Sequence, residues 1–177
     1  LMQLGRLQEA EQQTEEGLRW AHLTGIDAQG CLALKANLRR LQRDYDNALE
    51  LIQQAEQPNS ALSQAFTLEI RGLIERDRGD LWAARRFMER ALQQRERDGD
   101  PFRLHFARTH RAYLDCKLGQ PHAVDELMAC LDYWRTHENS PWIATTLLYL
   151  AEIQMATGQI EAARASLAEA LQRNRAM

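Results

Sequence analysis

The sequence predicts an all-α repeat protein, an α-solenoid of antiparallel helix pairs. Three observations carry this. A six-residue phrase returns five times, as Gly5-Arg6-Leu7-Gln8-Glu9-Ala10, Arg43-Asp44-Tyr45-Asp46-Asn47-Ala48, Gly79-Asp80-Leu81-Trp82-Ala83-Ala84, Gly119-Gln120-Pro121-His122-Ala123-Val124 and Gly158-Gln159-Ile160-Glu161-Ala162-Ala163. Its copies begin 38, 36, 40 and 39 residues apart, and self-similarity at a period of about 20–50 residues marks a repeat architecture. Apolar residues after each phrase recur at helical spacing. No alternating run competes, and β-branched residues are scarce.

In chain order, the first helix spans 6–24, where Ala10 to Leu18 follow the helical pattern loosely. A second helix, 27–42, takes Asp27 as its cap, and a third covers 46–56. Asn59-Ser60 caps a helix over 60–78, and the stripe Ala84, Met88, Ala91, Leu92 places the next over 81–97. Asp100-Pro101 sets a cap before a proline at the first helical position and opens 101–118; Gln120-Pro121 opens 121–137 in the same way. Val124, Met128 and Leu131 form that helix's buried stripe. Ser140-Pro141 opens 141–157, and Ala163, Leu167, Ala170 and Leu171 line the inner face of 159–175.

The helices that precede a phrase share a second pattern. Seven residues before the marker stands a small residue, Ala36, Gly72, Ala112 or Ala151, and two residues later a large one, Leu38, Ile74, Leu114 or Ile153. A small residue in mid-helix lets a neighbouring helix approach, and the large one fills the adjacent gap. Gly72 costs about 0.5–1 kcal/mol against Ala in a helix interior, so close packing is its expected compensation. A basic residue precedes three of these positions: Lys35, Arg71 and Arg111. The ladder reads either as an anion-binding rail or as internal ion pairing. Glu75 and Asp115, four residues beyond Arg71 and Arg111, favour pairing; Lys35 has Arg39 at that offset.

Composition bounds the function. The chain has 177 residues, 45% hydrophobic and 27% charged, which suits a continuous core. A net charge of −3 argues against a phosphate-gripping surface, so direct nucleic-acid contact is not expected. Arg85, Arg86, Arg90, Arg95 and Arg97 alternate with Glu89, Glu96 and Asp98, which reads as a solvated, ion-paired face. Cys31, Cys116 and Cys130 lack CxxC spacing and fit free, mostly buried thiols in a cytoplasmic protein. His105 and His110, five residues apart, point to different helix faces, so no metal site is expected. No apolar run reaches membrane length, no signal peptide is recognisable, and no catalytic constellation or cofactor motif emerges. Trp20, Trp82, Trp134 and Trp142 fall near helix ends and read as inter-helix packing. Leu1 begins the chain in mid-repeat, so a fragment of a longer arm is expected, forming one domain over 1–177.

These residues resemble the tetratricopeptide repeat (TPR) family. Gly72, Gly79, Leu81, Ala84, Met88, Ala91 and Leu92 match its phrase, as do Ala151, Gly158, Ile160, Ala163, Leu167, Ala170 and Leu171. Arg43 departs from the turn glycine and Pro121 from the aliphatic position. The resemblance covers nearly the whole chain and implies a right-handed superhelix of about four and a half repeats. The long period and the Arg-small pairs look most like the TPR arms of MalT-like (maltose-regulon activator) and LuxR-type bacterial transcription regulators.

That likeness implies a sensor or scaffold arm that binds a protein, a peptide or a small effector, with no enzymatic activity of its own. A free-standing adaptor or chaperone-like scaffold is the alternative. In the family one side of the first helices lines a concave groove. Carried over from the marker, that side presents Asn37, Arg40, Phe66, Glu69, Arg76, Phe106, Thr109, Tyr113, Cys116, Thr145, Glu152 and Met155. Apolar ends without a polar capping helix predict self-association or contact with further parts of the protein.

Overall fold

The computed structural model describes residues 2–25, 28–56 and 61–175, with side chains for 7–25, 28–56 and 64–175. Among these every regular element is helical. Contacts gather them into two compact units, Leu1–Asp98 and Gly99–Met177. The first holds α1 (Met2–Thr24), α2 (Gln29–Leu41), α3 (Tyr45–Ala55), α4 (Ala61–Arg78) and α5 (Leu81–Asp98). The second holds α6 (Pro101–Lys117), α7 (Ala123–Thr136), α8 (Ser140–Ala156) and α9 (Ile160–Arg175). Within each unit consecutive helices pack on one another. In addition α2 packs on α4 in the first unit and α6 on α8 in the second. Among the described residues no helix is long and apolar enough to cross a membrane. The proposed caps Asp27 and Asn59-Ser60 lie outside the described residues.

The recurring phrase is a helix C-cap. Arg43, Gly79, Gly119 and Gly158 all have positive φ, at 63°, 95°, 69° and 76°. After each, an N–H reaches back to the carbonyl five residues earlier: Asp44 to Arg39 at 2.9 Å, Asp80 to Glu75 at 2.9 Å, Gln120 to Asp115 at 2.9 Å and Gln159 to Gln154 at 2.8 Å. The marker residue's own N–H bonds the carbonyl three residues back, at 2.9–3.1 Å in all four turns. This pair of bonds is the Schellman motif, which satisfies carbonyls the helix end leaves open and needs a left-handed residue. The first phrase is different: Gly5 lies inside α1, so that copy marks no turn and the helix begins upstream of it. Between α7 and α8 Glu138 closes the same pair of bonds at φ 50° without a glycine, and the repeated phrase does not mark it.

The small-then-large pattern is borne out in the core. Ala36, Ala112 and Ala151 are at most 1% exposed, and Ile74 and Leu114 are sealed. A Cβ added at Gly72 would stand 3.1 Å from Met88 Cε and 3.2 Å from the Ala84 carbonyl oxygen, so the glycine permits the close approach of α4 and α5. In α5 the expected stripe is fully buried.

In α7 the expected register is off by one. Val124 and Met128 are exposed at 47% and 42%, and the buried stripe is Ala123, Leu127, Cys130, Leu131 and Trp134. The cause lies in the turn. His122 takes a left-handed φ of 61°, Pro121 precedes the helix instead of starting it, and α7 begins two residues later than expected. Leu171 is also exposed; in α9 the buried residues are Ala163 and Ala170, with Leu167 half-buried. Trp134 is sealed and Trp142 packs beside it. Trp20 and Trp82, in contrast, are exposed at 68% and 59% and pack no core. The Asp100 cap holds, accepting from the Arg103 N–H. At α8 the cap is Asn139, not Ser140; its side-chain oxygen accepts from the Trp142 N–H at 3.2 Å.

The basic ladder is paired. Lys35 meets Glu15 at 3.5 Å, and Arg71 meets Glu56 at 2.8 Å with Glu75 farther off. Arg111 bonds Asp115 at 2.8 Å and also Glu126. Arg95 departs from the solvated face expected of its cluster. It is buried in the first unit on Glu69, with Nε–H to Oε1 at 2.8 Å and an Nη2 hydrogen to Oε2 at 3.0 Å.

Candidate functional site

The twelve groove residues divide between the units. In the first, two converge on one carboxylate, and a third, Asn37, bonds one of those two. Arg40 donates from Nε to Asn37 Oδ1 at 2.9 Å and also pairs with Asp77; Arg76 donates to Asp77 Oδ1 from Nε and Nη2 at 2.8 and 2.7 Å. Asp77 is the member that the groove pattern missed. The cluster joins α2 to α4 and sets both guanidiniums on the Asp77 carboxylate. Phe66 is half-buried on α4. Glu69 is 2% exposed, so it is an interior ion-pair partner and no groove residue.

In the second unit α6 and α8 build an aromatic face. Phe106 meets Trp142 edge-on at 4.8 Å and His110 edge-on at the same distance. Two helical turns on from Phe106 and Trp142, Tyr113 and Tyr149 stack at 4.0 Å and 18°. The Tyr113 hydroxyl donates to Glu152 Oε2 at 2.7 Å, while Lys117 Nζ donates to Glu152 Oε1 at 2.6 Å. The Tyr149 hydroxyl lies 3.0 Å from His110 Nδ1. Offset and edge-to-face rings at these separations are the preferred aromatic geometries, and each buried polar tip has a partner.

Beneath this face Trp134 is fully buried, and its indole N–H donates to Thr109 Oγ1 at 3.0 Å. Thr109 in turn donates to the His105 carbonyl at 2.7 Å. Thr109, expected in the groove, is therefore interior, because its hydroxyl is the acceptor that lets a tryptophan be buried. Thr145 is half-buried and turns its hydroxyl back to the Pro141 carbonyl. Met155 is exposed at 57%, and Leu148, two turns earlier on the same side of α8, at 46%.

Phe106, Tyr113 and Glu152 are thus brought together, with Met155 at the edge. Trp142, Tyr149, His110, Lys117 and Leu148 complete the face and were missed. The signal for Tyr149 was available, since it precedes Glu152 by three residues and shares its helix side.

Burial pushes the Cys116 thiol up to about 11, helped by the Asp115 and Glu126 carboxylates, so it stays protonated and a poor nucleophile near neutrality. Burial likewise raises the Cys130 thiol, and it lowers the His105 imidazole. His105 stacks on Tyr133 of α7 while His110 faces Tyr149 of α8, so the two histidines do point apart. Among the described residues no group of three or more His, Cys, Asp or Glu side chains is arranged to hold a metal ion.

Compared with known proteins, the chain matches no family model and no curated protein. It is similar in fold to a solved structure, BtubC (BKLC) from P. vanneervenii, with a TM-score of 0.67 at 16% identity, over 97% of this chain and 73% of that one.

Proposed function

We propose that the chain is a partner-binding helical-repeat module and that the α6–α8 face is where it holds a protein or peptide. One observation carries this reading. Phe106, Trp142 and Tyr149 are only half-buried, although their ring contacts order them, and the exposed Leu148 and Met155 extend their apolar surface along α8. Ordered aromatics with an apolar border lose little conformational entropy when a partner covers them, which is why aromatic residues dominate binding hot spots. Glu152 and Lys117 give the border charge and orientation. The partner best suited is a segment with an apolar anchor. The TPR-type right-handed superhelix belongs to the same proposal.

The test is to pan a random peptide library against the chain and against a Leu148→Asp/Met155→Asp variant. Both side chains are exposed, so the variant is expected to fold. Peptides that enrich on the chain and fail on the variant support the reading. Peptides that bind both equally, or no enrichment, end it.

The finer reading, a sensor arm of a bacterial transcription regulator, rests on the Arg-small pairs and the long period. The ion pairs of Lys35, Arg71 and Arg111 give that ladder a packing role as well, so a free-standing adaptor stands beside it. An encoded ATP-binding module and DNA-binding helix-turn-helix flanking this region would support the first; their absence from the complete gene would leave the adaptor.

A further inference from the structure

A cavity of about 570 Å³ opens in the first unit between the end of α3, the first half of α4 and the second half of α5. Its walls carry Arg71, Arg90 and Arg97 against a single carboxylate, Glu56. Glu56 is taken by Arg71 at 2.8 Å. The Arg71 guanidinium lies 4.8 Å over the Phe87 ring, and its buried Nε finds no acceptor among the described residues. Arg71 is therefore fixed in place, with its fork ordered before anything binds.

Arg90 and Arg97 differ from Arg95, the buried and paired arginine of the same helix. Both are exposed, and neither has an ion pair among the described residues. The sequence explains why. On a helix the partners within reach lie three and four residues away. For Arg90 these are Arg86, Phe87, Gln93 and Gln94; for Arg97, on the N-terminal side, they are Gln93 and Gln94. No carboxylate stands among them, in a chain that carries three more acidic than basic residues. Two positive charges thus face one cavity, beside the side-chain amides of Gln64 and Gln93.

The geometry points to a binding site for a small polar molecule that bears oxyanion groups, a phosphate ester or a di- or tricarboxylate. Guanidinium forks match both groups with paired, charge-assisted hydrogen bonds. The amides suit hydroxyl or carbonyl groups on the rest of the ligand. The volume lies inside the range of roughly 300–1,000 Å³ typical of small-molecule sites. This site is separate from the aromatic face and stands or falls without it.

The experiment is isothermal titration calorimetry of the whole chain at low salt with inorganic pyrophosphate and, in a second arm, citrate. At least one is expected to bind, and the double variant Arg90→Gln/Arg97→Gln to weaken it by about tenfold or more. Arg86→Gln, an exposed arginine outside the cavity, is expected to leave binding unchanged. Preference for pyrophosphate assigns a phosphate ligand, and preference for citrate a carboxylate. No binding of either probe, binding that survives the double variant, or equal loss in Arg86→Gln would overturn the site.

Discussion

Arg95 of α5 and Glu69 of α4 meet through two parallel hydrogen bonds, at 2.8 and 3.0 Å, with each side chain 3% exposed. Asp98, 3.3 Å from Arg95 Nη1, supplies a second, more exposed carboxylate. Burial alone would pull the guanidinium below its ordinary value, but bonding to Glu69 and Asp98 more than reverses this, and the group stays charged. The pair joins two helices that also meet through the apolar stripe of α5 and through Arg71 over the Phe87 ring. Its geometry is the fork-to-fork arrangement that makes a buried ion pair tolerable.

Removing one partner leaves a buried charge short of its counter-ion. Arg95→Met is expected to cost about 3–5 kcal/mol in urea unfolding. Replacing both, as Glu69→Leu/Arg95→Met, is expected to restore most of that loss, since an apolar pair of similar volume has no charge to desolvate. A double-mutant cycle reads the coupling. Losses that simply add would show that the two side chains do not act as a pair.

The turns predict opposite effects at two markers. Arg43 holds a left-handed φ of 63°, a conformation that costs an L-residue about 1–2 kcal/mol. Arg43→Gly is expected to raise stability by about 0.5–1 kcal/mol after the added chain entropy of glycine is subtracted. At Gly79 a Cβ would meet nothing within 4 Å, so Gly79→Ala isolates the backbone cost of φ 95°. That variant is expected to lose about 1 kcal/mol or more. Thermal melts of both would settle it, and a destabilised Arg43→Gly would refute the account of the phrase as a cap.

Gly72 tests the packing of α4 on α5. Flexible Met88 can yield to a new methyl group, but the Ala84 carbonyl, held in the α5 ladder and 3.2 Å away, cannot yield without moving the helix. Gly72→Leu is expected to cost about 1–3 kcal/mol, read as a lower urea midpoint. An unchanged midpoint would mean that α4 and α5 are free to separate.

The helices were legible because their signals are local. A left-handed C-cap, a proline at the first helical position and a small residue at a helix crossing each follow from the chain within one turn, and Gly79, Pro101 and Gly72 behave accordingly. Errors arose where a distant partner decides. His122 absorbs a left-handed kink that no repeat phrase encodes, and that one dihedral angle rotates α7 by one residue and exposes Val124. Glu69 and Thr109 sit at groove positions by spacing. They are buried because Arg95, 26 residues on, and Trp134, 25 residues on, require their oxygens. Such pairings depend on which side chains meet after folding, and periodicity does not contain them. Tyr149 has no place in the groove pattern and Trp142 reads only as packing for a related reason: a register set by small residues has no place for aromatics between them.

His105 predicts a pH dependence. Its ring stacks on Tyr133 with centroids 3.3 Å apart, and its Nδ1 lies 2.8 Å from the Pro101 carbonyl oxygen. A carbonyl only accepts, so Nδ1 carries the hydrogen and the neutral ring satisfies the contact. Burial lowers the imidazole below 6.5, and the positive charge of Arg108 and of protonated His137 acts in the same direction, against the Pro101 bond. The unfolded chain therefore takes up this proton before the folded chain does. Stability from this site is complete above pH 6.5 and is lost as the pH falls from there through the lower folded value. His105→Phe keeps an aromatic ring against Tyr133 and removes the titration. Between about pH 7.5 and pH 5, the native chain is expected to lose more melting temperature than the variant does. The other histidines are common to both proteins, so the difference between the two slopes reports His105, and parallel slopes would assign the acid sensitivity to another group.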